Sequence, residues 1–223
     1  MRYCIGLLTI VCSIVLAANC YATSILVYTG PDMNTYSPVG IPAIEGPYAV
    51  DDVFTLSSNS DITQIAWSDW LTHGTTPTGV DFAITTNVAP LSGVLTGASN
   101  VVASGVVGSL TNTLTASNVQ GGNDVYWSQF AVNIPLSAGT YYLWLYNSTP
   151  TGAEPGWGFT SLASGAAQQF NNGNPHFSSA YRLSFELDGT TTASSAVPEP
   201  ATLTLTALGL AGVFRRSRNR RSQ

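Results

Sequence analysis

The sequence predicts an all-β protein: a two-sheet antiparallel β-sandwich, jelly-roll-like, flanked by an N-terminal signal helix and a C-terminal hydrophobic helix. Three observations lead there. Between Thr23 and Ala196 no helical apolar period is sustained. Short β-branched and aromatic runs alternate in that span with clusters of Gly, Asn, Ser, Thr and Pro, the pattern of strands and turns. About ten such runs recur at a spacing of roughly 8–15 residues, which suits two packed antiparallel sheets.

The first element is an export signal. Arg2 precedes an apolar stretch, Ile5–Ala18, and Cys20-Tyr21-Ala22 offers small residues where a signal peptidase reads. Residues 1–22 are expected to be a signal peptide cut after Ala22. A competing reading acylates Cys20 as a lipoprotein, although Asn19 is an unusual neighbour for that processing. An uncleaved membrane helix is disfavoured, because the apolar stretch is short.

The β-sandwich domain is expected over residues 23–192. Its first strands are Ile25–Tyr28, Tyr48–Leu56, Ile62–Trp67, Val80–Thr85 and Val101–Val107, where β-branched and aromatic residues concentrate. Leu114–Asn118, Tyr126–Ile134, Thr140–Asn147, Gly156–Thr160 and Tyr181–Asp188 complete the set. Turn chemistry separates them at Thr29-Gly30-Pro31-Asp32, His73-Gly74-Thr75, Gln120-Gly121-Gly122-Asn123 and Asn171-Asn172-Gly173-Asn174-Pro175. A Ser/Ala linker at 193–196 then leads to a segment of different character, 197–223.

That last segment reads VPEP, then ATLTLTALGLAGVF, then RRSRNRRSQ. Pro198 and Pro200 hold the chain extended and end whatever precedes them. The apolar run suits a bilayer, and an arginine cluster after such a run stays on the cytoplasmic side. Five of the chain's seven basic residues sit in this cluster: Arg215, Arg216, Arg218, Arg220 and Arg221. The whole resembles the PEP-CTERM sorting signal of exopolysaccharide-producing Gram-negative bacteria, with Pro198, Glu199 and Pro200 at the motif positions. The resemblance implies processing by the membrane protease exosortase. Ala201–Phe214 spans about 21 Å as a helix, against a hydrocarbon core of about 30 Å. Such a helix suits transient insertion in the inner membrane better than a durable anchor.

The body also resembles a domain recurrent among PEP-CTERM proteins. The similar stretches are AVDDVFTLSS from Ala49, ITQIAWSDW from Ile62, VDFAI from Val80 and LSAGTYYLWLY from Leu136. Two positions depart from the pattern: Val53 intervenes between Asp52 and Phe54, and Tyr142 stands where tryptophan is usual.

Composition narrows the function. The three cysteines, Cys4, Cys12 and Cys20, all precede the expected cut, so the mature domain rests on its core without disulfides. From Thr23 to Ala196 there are 11 acidic residues and one basic residue, Arg182, a net of −10, and the chain has no lysine. That balance argues against nucleic acid and anionic membrane surfaces as partners and is compatible with divalent cations or neutral glycans.

Catalysis is not expected. The body holds only His73 and His176, the latter read as a solvated loop histidine, and there is no Gly-x-Ser-x-Gly elbow or His-Glu-x-x-His motif. Two clusters are candidates for binding a glycan. On TYYLWLY, Tyr142, Trp144 and Tyr146 share one face and Tyr141, Leu143 and Leu145 the other. The core reading buries the larger face; the binding reading exposes it as a platform for sugar rings. Trp67, Asp69 and Trp70 form the second cluster at an expected strand end, with Trp157 a possible third wall of the same mouth, and the same two readings apply. Asp51 and Asp52 are adjacent, so on a strand they face opposite ways and do not share one ion. No cofactor is expected except a structural calcium ion, for which Gly122-Asn123-Asp124 could supply oxygen ligands.

The expected function is therefore an exported, non-catalytic surface or extracellular-matrix protein associated with exopolysaccharide or biofilm. Its processing partners are signal peptidase and exosortase. A module for a specific glycan is the alternative, and a carbohydrate-active enzyme with two facing carboxylates comes third.

Overall fold

The computed structural model of the chain describes residues 23–30, 32, 43–87, 100–119, 121–164, 167–171, 174–178 and 181–192. The expected signal helix, the linker, the sorting motif and the C-terminal hydrophobic helix lie outside the described residues. The chain divides into two units, Met1–Thr191 and Thr192–Gln223, and every strand among the described residues belongs to the first. Among the described residues no helix is long and apolar enough to cross a membrane.

The strands are β1 (Ser24–Tyr28), β2 (Tyr48–Leu56), β3 (Ser60–Thr72), β4 (Gly79–Thr85), β5 (Val101–Val107), β6 (Thr111–Val119) and β7 (Asn123–Leu136). They continue as β8 (Gly139–Thr149), β9 (Gly156–Trp157), β10 (Phe159–Ser164), β11 (Gln168–Asn171), β12 (Asn174–Ser178), β13 (Tyr181–Leu183) and β14 (Phe185–Thr191). One sheet runs β1-β14-β3-β7-β6, with β9 added on β3. The second runs β12-β11-β2-β8-β4-β5, and β10 and β13 form a two-stranded ribbon. All pairings are antiparallel, as the alternating pattern predicts.

Side chains from both six-stranded sheets meet in one core. Phe54 of β2 packs on Phe185 of β14 with ring centroids 6.5 Å apart, and Phe82 of β4 meets Phe130 of β7 at 5.2 Å. On β8 the period of two holds residue by residue. Tyr141, Leu143 and Leu145 enter that core, while Trp144, flanked by Tyr142 and Tyr146, packs with Ala83 and Phe170 in a second, smaller cluster. The turn from β6 to β7 uses Gly121 (φ 83°) and Gly122 (φ 76°), a backbone region that a side chain disfavours.

The structure lengthens several expected strands, breaks two and adds a hairpin. Strand β3 runs on to Thr72, because Trp67–Thr72 pairs with Ser128–Asn123 of β7; Trp70 is thus mid-ladder and does not begin a loop. The run expected at Gly156–Thr160 breaks at Gly158, and the run at Tyr181–Asp188 breaks at Ser184. At these breaks the two residues bond to each other and to β3: Gly158 N donates to the Ser68 carbonyl at 2.9 Å, and Ser184 N donates to Gly158 at 2.8 Å. Gln168–Asn171 and Asn174–Ser178 form an unexpected hairpin that extends the second sheet beyond β2. His176 therefore lies on strand β12 and not in a loop.

Candidate functional site

Asp51 and Asp52 face opposite sides of β2, as their adjacency requires. Asp52 points with Val50 and Phe54 toward the main core and is fully buried. There it meets Arg182, the body's single basic residue, with Nε 2.9 Å from Oδ1 and 3.0 Å from Oδ2. Leu183 N (2.7 Å) and Val53 N (2.7 Å) also donate to this carboxylate. Burial raises the Asp52 pKa above its ordinary value, while Arg182 and the two amides pull it down. The guanidinium also donates from Nη2 to the Val53 carbonyl and lies 5.9 Å from the Phe185 ring centroid.

Arg182 lines a cleft of about 370 Å³ between Leu26–Thr29 of the β1 side and Val53–Thr55 of β2. In the sequence this site is marked only by one arginine in an acidic body. Its partner carboxylate is 130 residues away, beyond the reach of local pattern.

On the other face of β2, Asp51 accepts from Gln168 N at 3.2 Å, while its Oδ2 has no partner among the described residues. Burial first, and the neighbouring Asp52 second, push its pKa up to about 8. Across the strand lies Trp144.

The aromatic candidates lie in the interior. Trp67, Trp70, Trp144 and Trp157 are all among the largest fully buried side chains. Trp144 Nε1 donates to Thr85 Oγ1 (3.0 Å), Trp157 Nε1 to the Ser184 carbonyl (3.0 Å) and Trp70 Nε1 to Asp32 Oδ2 (2.9 Å). Indoles so enclosed offer no face to a sugar, so the exposed-platform arrangement is corrected to core packing. Tyr142 and Tyr146 are half-buried beside Trp144, and Tyr146 is pushed up to about 12 by burial and by Asp81.

Asp69 is fully buried and stands at no loop mouth. Neither of its oxygens has a hydrogen-bond partner among the described residues, and burial raises its pKa well above the carboxylate range. Trp67 Nε1 and Ser128 Oγ nearby on the paired strands are likewise unpartnered.

Two carboxylates fasten loops. Asp32, missed in the sequence, accepts from Ser68 Oγ (2.6 Å) and Trp70 Nε1. A Cβ at Gly158 would fall on this carboxylate, so glycine makes room for it. Asp124 accepts from His73 Nδ1 (2.8 Å), Gly74 N (2.9 Å), Ser117 Oγ (2.7 Å) and Asn118 N (2.9 Å), which hold its pKa far below the usual range. These four donors occupy the carboxylate that the Gly122-Asn123-Asp124 loop would offer to calcium. Among the described residues no group of three His, Cys, Asp or Glu is placed to hold a metal ion.

A family model described as the PEP-CTERM protein-sorting motif matches residues 196–221, the segment with Pro198-Glu199-Pro200 and the first four arginines of the cluster, and its last, Arg221. The match is consistent with an exported, cell-surface-directed substrate of exosortase. No curated protein matches the chain.

Proposed function

We propose that this chain, which carries the PEP-CTERM protein-sorting motif at its C-terminus, delivers a non-catalytic β-sandwich to the cell surface or extracellular matrix, where it is a structural part of an exopolysaccharide layer. The observation that carries the reading is the order of parts in the matched segment: a Pro-Glu-Pro break, an uncharged apolar run and an arginine cluster. Signal peptidase cuts after Ala22. The C-terminal helix inserts in the inner membrane until exosortase removes it, since about 21 Å of apolar helix holds weakly in a core of about 30 Å. The shared core of the two six-stranded sheets supports a sandwich as the delivered body.

The non-catalytic part rests on how the polar groups are used. Asp52 is tied to Arg182, Asp124 to four donors and Asp32 to Ser68 and Trp70. These carboxylates hold the fold, and the four buried tryptophans do the same in place of presenting a glycan platform.

The test is fractionation of cells making the chain with Pro198→Ala, Glu199→Ala and Pro200→Ala together. The substituted chain should accumulate unprocessed in the inner membrane, while the unsubstituted one reaches the surface. Identical location and size for both would refute the reading.

A further inference from the structure

We infer that β5 is a self-association edge, along which a second copy of this chain pairs antiparallel about a two-fold axis at Ser104. The strand is the last in the second sheet, and among the described residues no strand pairs with its outer edge. Such edges are ordinarily protected by charge, proline or a bulge that turns them away. Here Val101–Val107 reads VVASGVV, without charge or proline; its one bulge is at Val102, the extra residue between Ala103 (opposite Ile84) and Val101 (opposite Thr85), and Ala103–Val107 pairs regularly with β4.

The strand's two faces differ. Ala103 and Val107 pack on the core, whereas Val102 is 46% exposed and Val106 84% exposed. Gly105 keeps the strand close to β4, since a Cβ there would lie 2.8 Å from the Phe82 ring.

The sequence of β5 names the partner. It is nearly palindromic about Ser104: antiparallel pairing with its own copy sets Val101 against Val107, Val102 against Val106, Ala103 against Gly105 and Ser104 against itself. A two-fold interface requires such self-complementarity, and cross-strand valine pairs stabilise a sheet. Exposed Val102 and Val106 then cover each other on the outer face.

Charge agrees. The body carries a net of −10, yet no charged residue occurs from Phe82 to Asn123. Two copies can therefore meet along β5 without opposing carboxylates. The nearest acid, Asp81, sits one strand inward. Its counterpart in the second copy would be three strand spacings off, about 14 Å, beyond the Debye length of about 8 Å at physiological salt.

The experiment is oxidative cross-linking of the exported, processed product carrying Ser104→Cys, with the unsubstituted chain, which keeps no cysteine after the cut at Ala22, as blank. A residue on the two-fold faces itself at disulfide distance, so a product of twice the chain mass should form. Val106→Cys alone should give none, because its two copies lie about 13 Å apart in this register. Val102→Cys with Val106→Cys in one chain should restore the link. Val102→Lys with Val106→Lys sets like charges directly opposite twice, and should weaken association in sizing experiments roughly tenfold while leaving the melting midpoint in place. The inference is overturned by a folded Ser104→Cys chain that does not link, by equal linking from Val106→Cys, by a linked product of another mass, or by undiminished association of the double-lysine variant.

Discussion

Arg182→Met removes the charge partner of the Asp52 carboxylate. Asp52 is fully buried, and Arg182 keeps 19% side-chain exposure at the cleft. Removing one member of a buried pair costs about 3–5 kcal/mol, because the remaining charge is left uncompensated. The cleft admits some water to the gap, so the loss should fall near the lower end, about 3 kcal/mol. For a domain of this size each kcal/mol moves the midpoint by about 2–4 °C, giving a fall of about 6–12 °C in thermal unfolding followed by tryptophan fluorescence.

The pH dependence provides a second, independent readout. Among the influences that hold the Asp52 pKa down, Arg182 is the largest, so its loss lets burial raise that pKa further. A carboxyl whose folded value exceeds its unfolded value leaves stability full below the unfolded value. That stability is lost as pH rises through the folded value. The deficit of Arg182→Met should therefore be largest near pH 8 and shrink toward pH 5. Adding Asp52→Asn should recover part of the loss at pH 8. A fall under about 2 °C, where the pair would contribute less than about 1 kcal/mol, or an equal deficit at both pH values, would show that the pair does not hold this edge of the core.

Asp51, pushed up to about 8 from 3.8, gives stability that is full below 3.8 and declines as pH climbs to 8. Asp51→Asn should raise the midpoint relative to the parent at pH 8 and change it little at pH 4; the opposite order contradicts the assignment. Gly158→Ala should cost about 1–3 kcal/mol by displacing Asp32 from Ser68 and Trp70, and an unchanged midpoint in a thermal scan would argue against that contact. Asp124→Ala should cost about 1–3 kcal/mol and speed amide exchange at Gly74 and Asn118. Because the Asp124 pKa is lowered, its contribution should be present at neutral pH and fade as pH falls below about 4. Titrating soluble glycans should leave tryptophan fluorescence unchanged, and a saturable shift would reopen the binding module.

Sequence pattern was most legible where one strand has two packed faces. The β8 run alternates Tyr141, Leu143 and Leu145 against Tyr142, Trp144 and Tyr146, and the structure divides them the same way. Periodicity alone did not tell whether the second face meets solvent or protein. Trp144 is covered by Phe170, whose strand β11 is short, polar and followed by asparagines, and so reads as a loop. The end of β3 was missed for a similar reason. Ser68-Asp69 lacks strand propensity, and pairing with β7 and β9 overrides it. Asp52 with Arg182 and Asp32 with Ser68 and Trp70 join segments far apart in the chain, where neither turn chemistry nor alternation carries information.

If both ends of this chain are processing signals around a delivered β body, the protein recovered from the cell surface carries neither. Intact mass and terminal peptide analysis of that protein should find a chain that begins at Thr23 and lacks Arg215, Arg216, Arg218, Arg220 and Arg221. A surface protein that retains the arginine cluster, or residues 1–22, would contradict that reading.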